Sequence, residues 1–215
     1  APNKAKLPHI SKICDTIEEA IKKSNPRDGM TLSFHHHLRN GDFILVKAVE
    51  ILANMGIKDI TIASSSLNVS HNAILKYLKD GTVTKIWTSG IRGDLGQAIS
   101  EGVLDIPIVI HSHGGRVRAI HTGKISIDLA IISASAADEE GNATGAIGKS
   151  AFGSLGYAHI DARYAKQVLV VTDNLVEYPC YPLSIQQIFV DFVVQVDSIG
   201  DASKIASGTT RITKS

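Results

Sequence analysis

Ile-Val-Ile at 108–110 and Val-Leu-Val-Val at 168–171 are unbroken apolar runs, mostly β-branched. A strand with one wet face alternates apolar and polar residues, and these runs do not. They read as strands covered on both faces, the pattern of a parallel sheet held between helical layers. Strands are expected at 30–34, 60–64, 83–88, 106–110, 129–134 and 168–172, with a weaker one at 192–196. Helices alternate with them. Ile10, Ile13, Cys14, Ile17, Ala20 and Ile21 form a helical stripe over 10–24, broken by Asn25-Pro26-Arg27-Asp28-Gly29. Asp42 is placed to cap a helix over 43–55 that Gly56 stops, and 68–78 and 94–101 are further helices. The predicted fold class is α/β, with three α/β/α layers around a mostly parallel sheet. One domain over 1–215 is expected, with 1–29 as an N-terminal helical extension and 200–215 as an irregular tail toward a second domain. The start without Met and the unpatterned end both read as cuts in a longer chain.

Length and charge remove several function classes. A chain of 215 residues can bury a sizeable core. Its net charge of +1 has no basic cluster behind it, which argues against nucleic acid and anionic membranes as partners. No apolar run is long enough for a membrane-spanning helix, and no apolar h-region follows the N-terminus. Cys14 and Cys180 lie far apart, which fits a reduced cytoplasmic protein better than a disulfide framework.

In parallel sheets, ligands bind at the C-terminal ends of the strands. Four such ends here carry polar segments: Phe34-His35-His36-His37, Ser64-Ser65-Ser66, Thr88-Ser89-Gly90 and His111-Ser112-His113-Gly114-Gly115-Arg116. One shared pocket is expected. Three histidines followed by Arg39 suit an anionic substrate, with Arg39 as a carboxylate fork. The plainer reading is a polar surface loop leading into a helix. Gly114 and Gly115 let backbone amides approach a ligand, and Arg116 would neutralise its charge; a tight turn with a surface arginine is the alternative. His35-x-His37 and His111-x-His113 raise a metal reading, but Asp42 and Asp94 lack convincing spacing as further ligands, and no metal is assigned. Ala143 to Ser150 resembles a relaxed P-loop, yet no strand runs directly into it and no helix follows, so nucleotide triphosphate chemistry is set aside. Cys180 sits in Pro-Cys-Tyr-Pro with no electropositive neighbour to make it a thiolate.

Three segments together resemble a known family. They are Ser33-Phe34-His35-His36-His37-Leu38-Arg39-Asn40-Gly41-Asp42, Ser112-His113-Gly114-Gly115-Arg116, and the stretch from Asp128 to Asn142. The resemblance is to the citrate lyase alpha subunit, within the coenzyme A transferases, and it runs over essentially the whole chain. The strand followed by Ala137-Asp138-Glu139-Glu140-Gly141-Asn142 is common to coenzyme A transferases at large. The histidine run is the specific part.

The resemblance implies a coenzyme A transferase fold with two similar domains, this chain being the first. It implies transfer of an acyl carrier thioester from acetyl to citrate, giving citryl-carrier and acetate. The partners implied are citrate, the acetyl-carrier thioester, the beta and gamma (acyl carrier) subunits and further copies of the chain, in the cytoplasm. The coenzyme A-like prosthetic group would belong to the carrier subunit, with no cofactor bound covalently here. His35, His36, Arg39, Ser65, Ser112, His113, Gly114, Gly115 and Arg116 are the expected substrate-binding residues, and Gly141 and Asn142 the thioester-binding ones. Two departures matter. Ser33-Phe34-His35 stands where many relatives have a Gly-x-Gly turn, so histidines would replace backbone amides as donors. The family's glutamate nucleophile belongs to a second domain, so no catalytic nucleophile is assigned. Two alternatives stay open: a small-anion binding module of the same fold, and a malonate-directed transferase.

Overall fold

A computed structural model describes residues 9–205. The elements run in order β1 (Ile13–Cys14), α1 (Ile17–Lys23), β2 (Thr31–Phe34), α2 (Ile44–Asn54), β3 (Ile60–Ser64), α3 (Leu75–Lys79), β4 (Val83–Thr88), α4 (Gly93–Ser100) and β5 (Val109–Ile110). They continue with α5 (His113–His121), β6 (Leu129–Ala134), β7 (Ala136–Ala137), β8 (Ala143–Thr144), α6 (Ala158–Tyr164), β9 (Gln167–Thr172), β10 (Phe192–Gln195) and α7 (Ala202–Ile205). Eight strands form one parallel sheet in the order β1-β10-β9-β6-β2-β3-β4-β5. β7 and β8 make a separate antiparallel pair.

The run at 168–171 is buried in β9, as its pattern requires, but the run at 108–110 is not: Val109 and Ile110 form the edge strand β5 and are exposed, so the cover on both faces expected there is absent among the described residues. Every residue of β2, β3 and β6 is buried. Along β6, Leu129 and Ile131 enter one core cluster while Ala130 and Ile132 enter the other. That is the two-residue alternation of a strand with helices on both faces. α1, α2, α3 and α4 pack into the first cluster; α5 and α6 pack into the second. The three-layer α/β/α expectation holds. Burying one Leu or Ile side chain fully contributes roughly 1.5–3 kcal/mol.

The ends of the chain differ from expectation. The helical stripe from Ile10 is cut in two: Ile13 and Cys14 pair with Val193 and Val194 as an edge strand. The helix starts only after Thr16, whose side chain accepts the Glu19 N–H at 3.0 Å, while a Glu19 carboxylate oxygen accepts the Asp15 N–H. That reciprocal cap fixes the boundary, and Glu18–Lys22 and Glu19–Lys23 pairs lace the exposed face. At the other end, residues 202–205 form α7 and bury Ile205, so this part of the expected irregular tail is ordered. Residues 206–215 and 1–8 lie outside the described residues. The helix expected over 68–78 is a 3₁₀ turn (Val69–Ile74) followed by α3, and the strand expected over 106–110 shrinks to its last two residues.

Strand order places the site. The chain runs outward through β2, β3, β4 and β5, then returns to lay β6 on the other side of β2. This reversal opens a crevice at the C-terminal ends of β2 and β6, the position where open α/β sheets bind ligands. His35, His36 and His37 leave β2 at that crevice.

Candidate functional site

The histidine loop is pinned on both sides. Leu38 is buried behind it, and Arg39 takes a left-handed φ of 50° that costs roughly 1–2 kcal/mol for a residue with a side chain. The turn is held against that cost. The Ser70 hydroxyl donates to the Arg39 carbonyl, and buried Asp42 accepts both the Ile44 N–H at 2.8 Å and a bond from His71 Nε2 at 2.9 Å. The N-cap position of α2 is Phe43 rather than the Asp42 expected; Asp42, one residue earlier, takes the Ile44 N–H and His71. Gly41 is required by space, since a Cβ there would lie 2.5 Å from the Asp201 carbonyl.

The rings cluster in front of this turn. His36 stacks on His37 at 5.6 Å and meets His113 edge-on at 5.6 Å. His35 lies 4.8 Å from His37. Tyr157 closes one side, 5.0 Å from His113, and Phe152 the other, 5.4 Å from His37. His113 is the first residue of α5, capped by Ser112, whose hydroxyl accepts the Gly115 N–H at 3.0 Å. The α5 N-terminus therefore borders the cluster, with exposed Gly114 still offering its amide.

Hydrogen-bond partners assign the neutral tautomers. Ser65 is fully buried, and its hydroxyl oxygen accepts the His36 N–H at 2.9 Å. Its hydroxyl and His36 Nδ1 lie 2.6 Å apart, and with no other acceptor for that hydrogen among the described residues we assign it to Nδ1, which puts the His36 proton on Nε2. His35 Nδ1 and His37 Nδ1 lie 2.7 Å apart. The His37 backbone N–H also points to His35 Nδ1, at 3.4 Å, which assigns the bridging proton to His37 and leaves the buried His35 Nε2 without a side-chain partner among the described residues. His37 Nε2 is then a bare lone pair, while His36 presents an N–H. Burial, followed by the neighbouring His37 and His36 rings, holds His35 well below the ordinary imidazole range. Burial, then His113 and Arg39, pushes His36 down to about 4. Burial, then His36 and Arg39, does the same to His37, also to about 4.

Several predicted site residues are spent elsewhere. Arg116 was expected at the ligand; it is 1% exposed, and its guanidinium forks onto Asp161 at 2.8 and 3.1 Å while bonding Ser33 and the Ala63 carbonyl. Its charge is neutralised in the core, because α5 carries it inward rather than leaving it on a loop. Ser65 orients His36 instead of facing a ligand, and the Gly115 amide is taken by Ser112. Gly141 and Asn142 are not free for a thioester. Gly141 donates to the Asp138 carboxylate, and Asn142 is satisfied by Asp138 and Gln187. What the fold brings together from the expected set is His35, His36, Ser65, Ser112, His113 and Gly114, with exposed Arg39 close enough to bias His36 and His37. His37, Tyr157 and Phe152 are additions. The histidine run itself pointed to His37; nothing in the sequence marked the two aromatics.

No group of three or more His, Cys, Asp or Glu among the described residues is arranged to hold a metal ion. The paired Nδ1 atoms of His35 and His37 face each other and share a proton. Burial, then the Asp138 charge, pushes the Cys180 thiol up to about 11, so it is no thiolate at neutral pH. A groove of about 580 Å³ lies between α1, α2 and β10, lined in part by Lys22, Lys47 and Asn54, with none of the cluster residues.

The model of the family described as "Citrate lyase, alpha subunit (CitF)" matches residues 10–215. The chain belongs to the citrate lyase alpha subunit family. It is 50% identical over 202 residues to the citrate lyase alpha chain of Haemophilus influenzae and 48% identical to that of Escherichia coli K12, covering 94% of this chain in each case. The chain spans 40% of the length of those relatives. A citrate lyase alpha subunit from Streptococcus mutans, solved in complex with citrate, superposes with a TM-score of 0.93 at 50% identity, over 99% of this chain and 42% of that one. More distant matches show the fold alone: an acyl-CoA transferase from Escherichia coli O157:H7 (TM-score 0.69, 14% identity) and a malonate decarboxylase alpha subunit from Acinetobacter baumannii (0.66, 18%). The coenzyme A transferase fold expected for a citrate lyase alpha subunit is the fold found.

Proposed function

We propose that the His36–His37–Arg39 face and the α5 N-terminus bind citrate, for the transfer of an acyl carrier thioester from acetyl to citrate by the whole subunit. The observation that carries this reading is the donor set at the sheet's reversal point. His36 meets His113 at the α5 N-terminus, next to the exposed Gly114, Arg39 is near enough to lower His36 and His37, and no carboxylate of the described residues bonds to His35, His36, His37 or His113. Citrate brings three carboxylates and a hydroxyl, and needs several convergent donors. The same prepositioned donors suit the oxyanion that develops at a thioester carbonyl.

In this reading a citrate carboxylate exchanges with the acetyl group on the carrier thiol. Acetyl-carrier plus citrate gives citryl-carrier plus free acetate, with the thiol supplied by the coenzyme A-like group of the gamma subunit. The beta subunit would then cleave the citryl group. Arg116 and Asp161 lock α5 and α6 beneath the site and so act through position. The test is acetate release by the full-length protein from acetyl-loaded carrier. The expected result is release that depends on citrate and yields citryl-carrier. No exchange, with both partners intact, would favour a small-anion binding module; exchange with malonate in place of citrate would redirect the substrate assignment.

A further inference from the structure

We propose that binding of a polycarboxylate at this site draws one proton from solvent onto His37 Nε2, so that ligand uptake is proton-linked. The proposal rests on the citrate reading above and adds to it how the charge is balanced. Three observations carry it. First, the Nδ1–H of His37 is committed to His35 Nδ1 at 2.7 Å, which leaves Nε2 of His37 as a lone pair. A carboxylate oxygen beside a lone pair is repelled; beside an imidazolium N–H it is held by a charge-assisted bond. Second, the site is short of positive charge. Arg116 is cancelled by Asp161, which among the described residues leaves Arg39 as the uncompensated cation of the cluster against a ligand of up to three negative charges. Third, nothing among the described residues facing His37 supplies the missing charge. His35 and His36 face it from its own loop, Arg39 from the next turn and apolar Phe152 from the loop before α6; His113 of α5 and Tyr157 stand behind His36.

In the ligand-free site burial, then the His36 ring and Arg39, hold His37 down to about 4, so it is neutral at pH 7. A carboxylate in contact reverses the sign of the local field and raises that value. The proton taken up makes His37 a double donor, to His35 through Nδ1 and to the ligand through Nε2. The positive charge it adds offsets one ligand charge. Binding that consumes a proton weakens as pH rises, by about tenfold per unit where a full proton is taken up.

Calorimetric titration of citrate into the full-length protein at about pH 7, in phosphate and in Tris, tests this. The two buffers differ in ionisation heat, so the difference in observed heat counts protons. The expected result is an uptake of about half a proton or more per citrate in the wild type beyond that in His37→Gln, which binds citrate more weakly and is titrated at higher concentration. Binding with the same proton count in wild type and His37→Gln overturns the proposal and leaves the citrate reading intact. In that case the His35–His37 pair has answered by moving its shared proton rather than gaining one. Absence of citrate binding in either buffer, with the protein folded, overturns both.

Discussion

Arg116→Ala is expected to lower the unfolding free energy by about 3–5 kcal/mol, read from denaturant melts of the full-length protein. The side chain is among the largest that are fully buried, and it ties four elements together. Its guanidinium bonds Asp161 of α6, Ser33 of β2 and the Ala63 carbonyl of β3, while its own backbone sits in α5. Truncation leaves Asp161 charged with 2% of its side chain exposed, and removes the partners of a buried hydroxyl and carbonyl. The pair as a whole is worth far less than its breakage costs. A double variant, Arg116→Met with Asp161→Leu, is therefore expected to recover most of the loss. Loss of citrate affinity in Arg116→Ala follows from misplaced α5, not from a missing contact. A variant within about 1 kcal/mol of wild type would show that the guanidinium is not the core fixture the geometry makes it.

Asp138→Ala is expected to cost about 3 kcal/mol or more by the same measurement. Asp138 is fully buried, and its two oxygens accept five bonds, from the Glu140, Gly141 and Asn142 backbone N–H groups, the Asn142 side chain and the Cys180 N–H. Alanine would leave these donors without partners away from water. The turn cannot simply relax around the gap. Gly141 sits at φ 99° with its Cα face against Val190, where an added Cβ would approach to 2.6 Å. Asp138→Asn keeps one acceptor oxygen but turns an amide toward donors, so its loss should fall between wild type and Ala. Equal stability of Asp138→Ala and wild type would mean the turn is held by other contacts.

These two residues also show what could be read in the sequence and what could not. β3 and β6 were legible because burial on both faces leaves few polar positions, and both fall where the apolar runs place them. Their ends could be named as a site because parallel sheets bind ligands there. α5 was not legible. Its first turn is His113-Gly114-Gly115, two glycines where a helix former would normally stand, so the segment reads as a loop and Arg116 as a surface cation. Ser112 capping and the pull of Asp161 across 45 residues override that local preference. The Ala-Asp-x-x-Gly-Asn stretch was read as a ligand contact, whereas its polar groups satisfy one another. Distinguishing the two needs the partners at Cys180 and Gln187, which are distant in the chain. The histidine run shows the reverse case. No folding rule asks for three imidazoles at a strand end, and the fold puts them at its reversal point.

The most direct test of the central claim is a crystal structure of the full-length protein grown with citrate. The account predicts a citrate carboxylate within hydrogen-bond distance of His36 Nε2, with Arg39 or the Gly114 amide on a second, and Arg116 still forked onto Asp161. Citrate seated elsewhere, for instance in the groove beside Lys22, Lys47 and Asn54, with the histidine cluster unchanged and empty, would contradict it.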